Sequence, residues 1–136
     1  MDLFKSIVVA ASGLRAQSGR MKVVSENLAN ADSTAERAGA DPYRRKVTTF
    51  QGKLDRELDV KTVELGRVRK DQSPFKNKFD PGHPAADVNG QVKTPNVNSL
   101  IETMDLREAQ RSYEANLNVI TSARRMIQRT IDILRA

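Results

Sequence analysis

Only one cluster in this sequence combines residue types that could do acid–base or metal chemistry. Asp80, His83 and Asp87 offer two carboxylates and the single imidazole of the chain, groups that serve as general acids and bases or as ligands of a divalent cation. They fall in a stretch rich in Pro and Gly, with no regular spacing that would bring the side chains together. We therefore interpret the stretch as a turn and predict no catalytic residue and no metal site.

The rest of the composition excludes most covalent and metal chemistry. The 136 residues include no Cys and one His, which excludes a thiolate nucleophile, a disulfide and a Cys- or His-based metal cage. No serine stands in a G-x-S-x-G motif, and no glycine loop of the phosphate-binding kind is present. We expect a protein that is not an enzyme and that needs no cofactor and no small-molecule substrate.

The charge balance raises nucleic-acid binding as an alternative. The chain carries 23 Lys and Arg against 17 Asp and Glu, a formal net charge of +6. The basic residues cluster at 44–46 and 67–70, but acids are scattered around them and no helix–turn–helix, RNP or finger pattern accompanies them. We interpret both clusters as solvated surface or as salt bridges between subunits, and keep a small nucleic-acid-binding protein as the less favoured alternative.

The first residues, 1–14, are mildly apolar but do not resemble a cleaved signal peptide. Asp2 precedes the lone Lys5, and the helical pattern continues beyond Leu14 instead of opening a cleavage region. No run approaches the roughly 18 apolar residues that a membrane span needs. We expect a cytoplasmic protein, or one exported by a route that reads no such peptide.

The positions of Pro and Gly divide the chain into residues 1–30, 31–96 and 97–136. All five Pro, and every Gly except Gly13 and Gly19, lie in the middle segment, where they oppose helix formation. The sequence therefore predicts a mainly α protein, in which two long terminal helices pair in coiled-coil fashion around a small irregular middle with short strands. We expect a loop at 31–45, strands at 46–50 and 63–68, and a hairpin at 85–94 around Asn89-Gly90.

The first segment has two rows of residues at sevenfold spacing, the pattern of a helix that seeks a partner helix. Gln17 interrupts one row, and Gly13 and Gly19 each cost about 1 kcal/mol of helix propensity relative to Ala. The isolated segment is thus a marginal helix that needs a partner. The predicted assembly residues of this helix are Leu3, Ile7, Leu14, Met21, Val24 and Leu28.

The last segment carries a longer stripe of the same kind. Ser99 and Glu102 have the spacing of a capping box, and Asn98 is a second candidate for the cap, so a helix should begin here. Acidic residues crowd its first turns and arginines its second half, which complements the helix dipole. The predicted assembly residues are Leu106, Tyr113, Leu117, Ile120, Ile127, Ile131 and Leu134.

Four motifs resemble a known family. The run Ser-Glu-Asn-Leu-Ala-Asn-Ala-Asp-Ser at 25–33 contains the Asn-Leu-Ala-Asn motif that closes the first helix in the axial proteins of the bacterial flagellum. The segments 80–87, 90–98 and 109–116 are similar to the proximal rod subunits of that family in particular, although Gln91 stands where the family commonly has an aromatic residue. The resemblance covers nearly the whole chain.

The resemblance implies a structural subunit of the proximal rod that transmits torque for motility through helix-mediated self-assembly and co-assembly. It implies one domain, similar to the D0 domain of the family, built from both ends of the chain. The implied partners are copies of itself, other rod proteins, the membrane-embedded ring with its rod adaptor, and the flagellar type III export apparatus. The implied location is the periplasmic rod of the basal body, reached without a cleaved signal peptide.

Two further points complete the expectation. The motif assigns Asn27 and Asn30 to the turn that ends the first helix, where their amides can bond free carbonyls. The terminal helices would be wholly or partly disordered in the free monomer and would fold on docking, since burial of the stripes then offsets the ordering entropy. A generic helical-hairpin adaptor that buries the same stripes within one chain remains the main alternative.

Overall fold

The computed structural model describes residues 2–135 and has a long helix at each end of the chain. Helix α1 spans Leu3–Ala29 and helix α2 spans Ser99–Arg135. Between them lie β1 (Lys46–Val47), β2 (Phe50–Asp55), β3 (Val60–Leu65), β4 (Arg69–Lys70), β5 (Lys76–Phe79) and β6 (Gln91–Thr94). The predicted pair of terminal helices with short strands in the middle is confirmed.

The strands form three separate antiparallel ribbons, β1 with β4, β2 with β3 and β5 with β6. The longest is the β2–β3 hairpin, in which Phe50 pairs with Leu65 and Asp55 pairs with Val60. Two-stranded ribbons are at best marginally stable in water on their own. Each therefore depends on contacts with the helices and loops around it.

The predicted hairpin at 85–94 is wrong in its strand pairing. Strand β6 pairs with β5, which lies upstream of the Pro/Gly-rich stretch. Asn89-Gly90 does form a turn, because the Gly90 N–H donates to the carbonyl of Asp87 (3.0 Å) and the Asp87 carboxylate accepts from the N–H groups of Asn89 and Gln91. The residues before this turn cannot act as its second strand, since Ala86 N–H is already bonded to the carbonyl of His83 in a turn of its own.

The described residues divide into two compact units, and each contains part of both helices. The first unit comprises the chain up to Met21, Thr49–Arg67 and the chain from Arg107 onward. In it α1 and α2 run antiparallel, since Gly13 contacts Asn116 while Arg20 Nη2 lies 3.6 Å from Glu108 Oε2. The buried apolar residues of this unit are all alanines, namely Ala10, Ala16, Ala109 and Ala123.

Ser12 and Gly19 of α1 contact the β2–β3 hairpin in the first unit. The Ser12 hydroxyl, 3% exposed, donates to the carbonyl of Val9 (2.6 Å) and accepts from the N–H of Val63 in β3 (3.1 Å). A Cβ atom placed on Gly19 would lie 2.8 Å from Leu65 Cδ2, and one placed on Gly13 would lie 2.8 Å from Asn116 Nδ2. The missing side chains of Gly19 and Gly13 therefore let Leu65 and Asn116 approach α1 closely. This contact explains why residues of poor helix propensity stand inside the helix.

The second unit comprises Lys22–Thr48 and Val68–Leu106. It contains the end of α1, the start of α2 and the β1–β4 and β5–β6 ribbons. Its buried apolar residues are again small, namely Val23, Val24, Ala85, Val92 and Val97. Two polar side chains, Asn27 and Glu102, are buried among them.

Gly90 provides a test of the turn in the second unit. Its φ is 72°, and a Cβ atom there would lie 3.0 Å from the Phe79 ring. We predict that Gly90→Ala lowers the free energy of unfolding by about 1–2 kcal/mol in urea denaturation, because an L side chain is strained at positive φ. The control is Gly52→Ala, where a Cβ has nothing within 4 Å. Equal losses in the two variants would contradict the assignment.

Candidate functional site

Asn27, near the end of α1, uses its whole hydrogen-bonding capacity inside the protein. It is 1% exposed. Its amide nitrogen donates to the carbonyl of Lys46 (2.8 Å) and to Glu102 Oε2 (3.0 Å). Its amide oxygen accepts from the Tyr43 hydroxyl (2.8 Å) and from the N–H of Lys46 (2.9 Å). Two donors and two acceptor positions are all an Asn side chain has, so its rotamer is fixed.

Glu102 brings a buried carboxylate to the same place from the first turn of α2. It is 1% exposed, and its Oε1 accepts from Arg45 Nε at 2.6 Å while Oε2 accepts from Asn27. The Arg45 guanidinium also lies 3.6 Å from Asp71 and 3.9 Å from Asp105. A buried carboxylate needs such pairing, since removal of the partner leaves an uncompensated charge.

The charges around Arg45 shift its pKa upward. Burial by itself lowers the pKa of the guanidinium, but the hydrogen bond to Glu102 and the negative charges of Glu102, Asp71 and Asp105 outweigh it. Arg45 is therefore always charged here, and the planar guanidinium can bond several acceptors at once. The ion pair binds the middle segment to the start of α2.

Asn96 extends the same network to the loop after β4. Its amide oxygen accepts from the N–H of Arg45 at 2.8 Å, and its amide nitrogen donates to the carbonyl of Asp71 (3.1 Å) and to Ser73 Oγ (2.9 Å). We call Asn27, Tyr43, Arg45, Asn96 and Glu102 the helix junction. It joins the end of α1, the loop before β1 and the start of α2 through hydrogen bonds and the ion pair of Arg45 with Glu102.

Asp71 lies at the edge of the helix junction. Its carboxylate accepts from the N–H of Ser73 at 2.9 Å. The pKa of Asp71 lies below its usual value, chiefly because of the bonds to Ser73 and then because of the charge of Arg45.

The two asparagines of the Asn-Leu-Ala-Asn motif have different roles in the structure. Asn30 Nδ2 donates to the carbonyl of Glu26 at 2.8 Å, the bond expected of a residue that ends a helix. Asn27 bonds no carbonyl of its own helix among its described contacts and instead joins α1 to Lys46 and Glu102. Sequence reasoning placed both at the turn and missed this second role.

The cap of α2 also differs in part from the prediction. Asn98 Oδ1 accepts from the N–H of Leu100 (3.1 Å), and the carbonyl of Asn98 accepts from the N–H of Glu102 (3.0 Å), so Asn98 is the N-cap. Ser99 is the first helical residue, and its carbonyl accepts from Thr103 Oγ1. Glu102 does not close a capping box with Ser99, because both of its oxygens are bonded within the helix junction.

The predicted assembly residues all lie on α1 or α2 but differ in burial. On α1, Val24 is buried, and the others are half-buried, namely Leu3, Ile7, Leu14, Met21 and Leu28. On α2, four are half-buried, namely Leu106, Tyr113, Ile120 and Ile127. Leu117, Ile131 and Leu134 are exposed to 46%, 39% and 81%. Their role in assembly stays a prediction.

The basic residues at 44–46 form ion pairs, hydrogen bonds and a ring contact with residues of the same chain. Arg44 donates to the carbonyl of Asp71 (3.0 Å) and lies over the Phe75 ring at 4.1 Å, while Lys46 forms an ion pair with Glu26. Together with the bonds of Arg45, these contacts occupy the cations that were predicted to be solvated or to bridge subunits. Glu102 is the acidic residue whose place in the sequence could have indicated an ion pair with Arg45, but the two residues lie 57 positions apart.

The stretch 80–87, which contains the candidate acid–base residues Asp80, His83 and Asp87, forms turns, as predicted. His83 Nδ1 accepts from the N–H of Ala85 (3.0 Å), and Nε2 lies 3.2 Å from the Thr34 hydroxyl. Within residues 2–135, no three His, Asp or Glu side chains are grouped so that they could hold a metal ion. Over the same residues, neither helix has an apolar stretch of the length that crosses a membrane.

Comparison with known proteins identifies the class. Residues 7–35 match the family described as flagella basal body rod protein, and residues 88–133 match the C-terminal family of the flagellar basal body rod proteins FlgEFG. These two segments contain the end of α1 and the start of α2, including Asn27 and Glu102 of the helix junction. The fold thus belongs to the class of flagellar basal-body rod proteins.

Full-length relatives narrow this class. The chain is 53% identical over 128 residues to the flagellar basal-body rod protein FlgC of Agrobacterium fabrum, covering 94% of this chain and 92% of that one. It is 38% identical to the FlgC proteins of Borreliella burgdorferi (98% and 99% covered) and Salmonella typhimurium (98% of each). The chain therefore belongs to the FlgC family of flagellar basal-body rod proteins.

Membership of this family decides between the three functions that the sequence left open. The chain is a structural component of the flagellar basal body, and the prediction of a rod subunit that is not an enzyme is confirmed. The helical-hairpin adaptor and the nucleic-acid-binding protein are not favoured. A rod subunit assembles with other rod and basal-body components, and this coarser form of the partner prediction is also confirmed.

The helix junction can be tested through its central residue. We predict that Asn27→Ala lowers the free energy of unfolding by about 3 kcal/mol, since four groups of Lys46, Tyr43 and Glu102 lose a hydrogen bond at once. Urea denaturation followed by circular dichroism measures the loss. The matched control is Asn118→Ala, an exposed Asn on α2, which should change the value by less than about 0.5 kcal/mol. A loss no larger than that of the control would show that the network does not stabilise the fold.

Tyr43 gives the junction a pH dependence. Burial, and then the negative charges of Glu26 and Glu102, raise the pKa of its phenol from 10.0 to about 12. The unfolded chain loses this proton near pH 10, and the folded chain keeps it to about pH 12. The contribution of Tyr43 is therefore complete below about pH 10 and is lost as the pH rises toward 12.

We therefore predict that the free energy of unfolding falls more steeply in the wild type than in Tyr43→Phe over this alkaline range. Urea denaturation at several pH values measures both slopes. The comparison isolates the contribution of Tyr43, because every other titratable residue is the same in both proteins. Parallel slopes would contradict the assignment.

Proposed function

We propose that the chain forms part of the proximal rod, where it assembles with copies of itself and with other rod proteins through the apolar stripes of its terminal helices and so transmits torque. The observation that carries this proposal is the unequal distribution of apolar residues in the single chain. The buried apolar residues are Ala and Val, whereas large apolar side chains on α2 are exposed, with Ile133 at 76% and Leu134 at 81%. Exposed apolar surface on this scale is typical of an interaction site.

The length of α2 supports the proposal. Its 37 residues correspond to about 55 Å of helix, against about 40 Å for the 27 residues of α1. In the first unit Gly13 of α1 contacts Asn116 of α2 in an antiparallel arrangement. Continued at this register, Leu3 is opposite residue 126, so the last turns of α2 extend beyond the start of α1. A helix end without an intramolecular partner has its stripe available to a neighbouring subunit.

Within each subunit we propose that α1 and α2 pair in coiled-coil fashion. The buried Ala10, Ala109 and Ala123, together with Gly13, support this, because small residues let two helices approach closely. The predicted assembly residues at sevenfold spacing would then lie on the seam and its flanks. The two terminal helices would form one domain from both ends of the chain, with boundaries near residues 30 and 97.

The helix junction suits a part that transmits torque. A shaft must keep the angle between its helices under load, and apolar contacts between small residues are non-directional. Hydrogen bonds that fix Asn27, Arg45 and Glu102 depend on direction as well as distance. The junction would therefore keep the start of α2 aligned with the end of α1.

Further partners follow from the family alone. We propose that the chain contacts the membrane-embedded ring and its rod adaptor at the base of the rod. We also propose that the flagellar type III apparatus exports it. Passage through such a channel needs an unfolded chain, and the small core of Ala and Val supports easy unfolding because it buries little apolar area. The terminal helices would then order fully on docking.

The assembly proposal can be tested with a charge in the predicted seam. In a strain without this protein, we expect the wild-type chain to restore swimming and Ile120→Asp to abolish it, because a charge in an apolar seam is not solvated. The exported amount, measured by immunoblot, should stay unchanged. The matched control is Thr121→Asp, which places the same charge on the next, exposed position of α2. Normal swimming by Ile120→Asp would contradict the seam assignment.

A further inference from the structure

Helix α2 has a second apolar row besides the predicted assembly stripe. Val119, Met126 and Ile133 follow each other at sevenfold intervals and are exposed to 46%, 49% and 76%. Residues seven apart lie on one face of a helix. The small residues Ala115 and Ser122 lie beside this row, so a partner helix could approach it closely.

This row is distinct from the face that α2 turns toward α1. At about 100° per residue, it lies roughly 80° around the helix from the face that contains Ala109, Asn116 and Ala123. Ala109 and Ala123 are 0% and 2% exposed, and Asn116 contacts Gly13 of α1. The second row is therefore left uncovered by the rest of the described chain.

Arginines border the second row on one side. Arg125 and Arg129 lie about 60–100° from it on the helix surface, between Val119 and Ile133 along the helix, and both are exposed. Neither forms an ion pair with any residue in 2–135. Between residues 119 and 133 Asp132 is the only acidic residue, so the net charge of this border is positive.

We propose that the row Val119–Met126–Ile133 is a docking surface for an amphipathic helix of a different protein, one whose apolar row is bordered by Asp and Glu. This inference rests on the proposed function, since it names the chemistry of one neighbour in the rod. Carboxylates would pair with Arg125 and Arg129, the arrangement by which flanking charges select partners in coiled coils. A second copy of this chain docked in the same direction would place arginines against arginines, which is repulsive.

The test uses two synthetic helical peptides as probes and the full-length chain. Both peptides carry the same leucine row, but one is bordered by Glu and the other by Lys. We expect the Glu peptide to bind at least about tenfold more tightly in a fluorescence titration, and to lose affinity as salt is raised. Met126→Asp and the double variant Arg125→Glu/Arg129→Glu should each remove this preference.

Two matched variants control for unfolding and for unspecific charge effects. Gln128 is exposed and lies about 160° around α2 from Met126, two positions away. Gln128→Asp should bind the Glu peptide as the wild type does. Arg124 neighbours Arg125 but points away from the row, so Arg124→Glu should also leave binding unchanged. Circular dichroism of all variants shows whether the helices remain folded.

Four results would overturn the inference. They are equal binding of the two peptides, equal losses in the control variants, self-association of the chain that Met126→Asp abolishes, and binding to vesicles of anionic lipid without binding to the Glu peptide. Each of them leaves the rod assignment intact, because swimming in the complemented strain tests that separately. A chain that restores swimming but ignores the Glu peptide would thus lose only this inference.

Discussion

The bond between Asn27 and Glu102 is the constraint on which the second unit depends. It joins the end of α1 to the start of α2 across 75 positions of sequence. Both side chains are 1% exposed, so each needs every partner that it has. Arg45 neutralises the buried carboxylate of Glu102. Lys46 and Tyr43 supply the remaining hydrogen bonds of the Asn27 amide, and the Asn96 side chain accepts a hydrogen bond from the backbone N–H of Arg45. A network in which every member is satisfied specifies one arrangement, since any other would leave a buried polar group unpaired.

This polar network compensates for a core that is small. The buried apolar residues are alanines and valines, which bury little area each and contribute correspondingly little to the free energy of folding. Many large apolar side chains are instead exposed, most of them on α2. The single chain is thus stabilised and oriented by directional bonds, while much of its apolar surface remains available for contacts with other subunits. Such a division suits a structural subunit of the flagellar basal-body rod.

The charges are divided in a similar way between the two ends of α2. At its start, acidic residues pair within the chain, as Glu102 and Asp105 do with Arg45. Toward its end the arginines at 124, 125 and 129 have no acidic partner among residues 2–135. Paired charges fix the fold of the chain, and unpaired ones are available for recognition of a neighbour. One helix therefore serves both purposes along its length.

The sequence by itself determined the two helices, a middle segment with short strands, and the family, because sevenfold spacing, Pro and Gly positions and short motifs are local signals. It also placed Asn27, Asn30 and Asn98 at helix ends. Only the tertiary structure decided that Asn27 binds Glu102, that Arg45 is an internal partner, that β6 pairs with β5, and that Gly13 makes room for Asn116. Each of these contacts joins residues that are distant along the chain or sets a partner that local pattern leaves open, so periodicity and spacing carry no information about it.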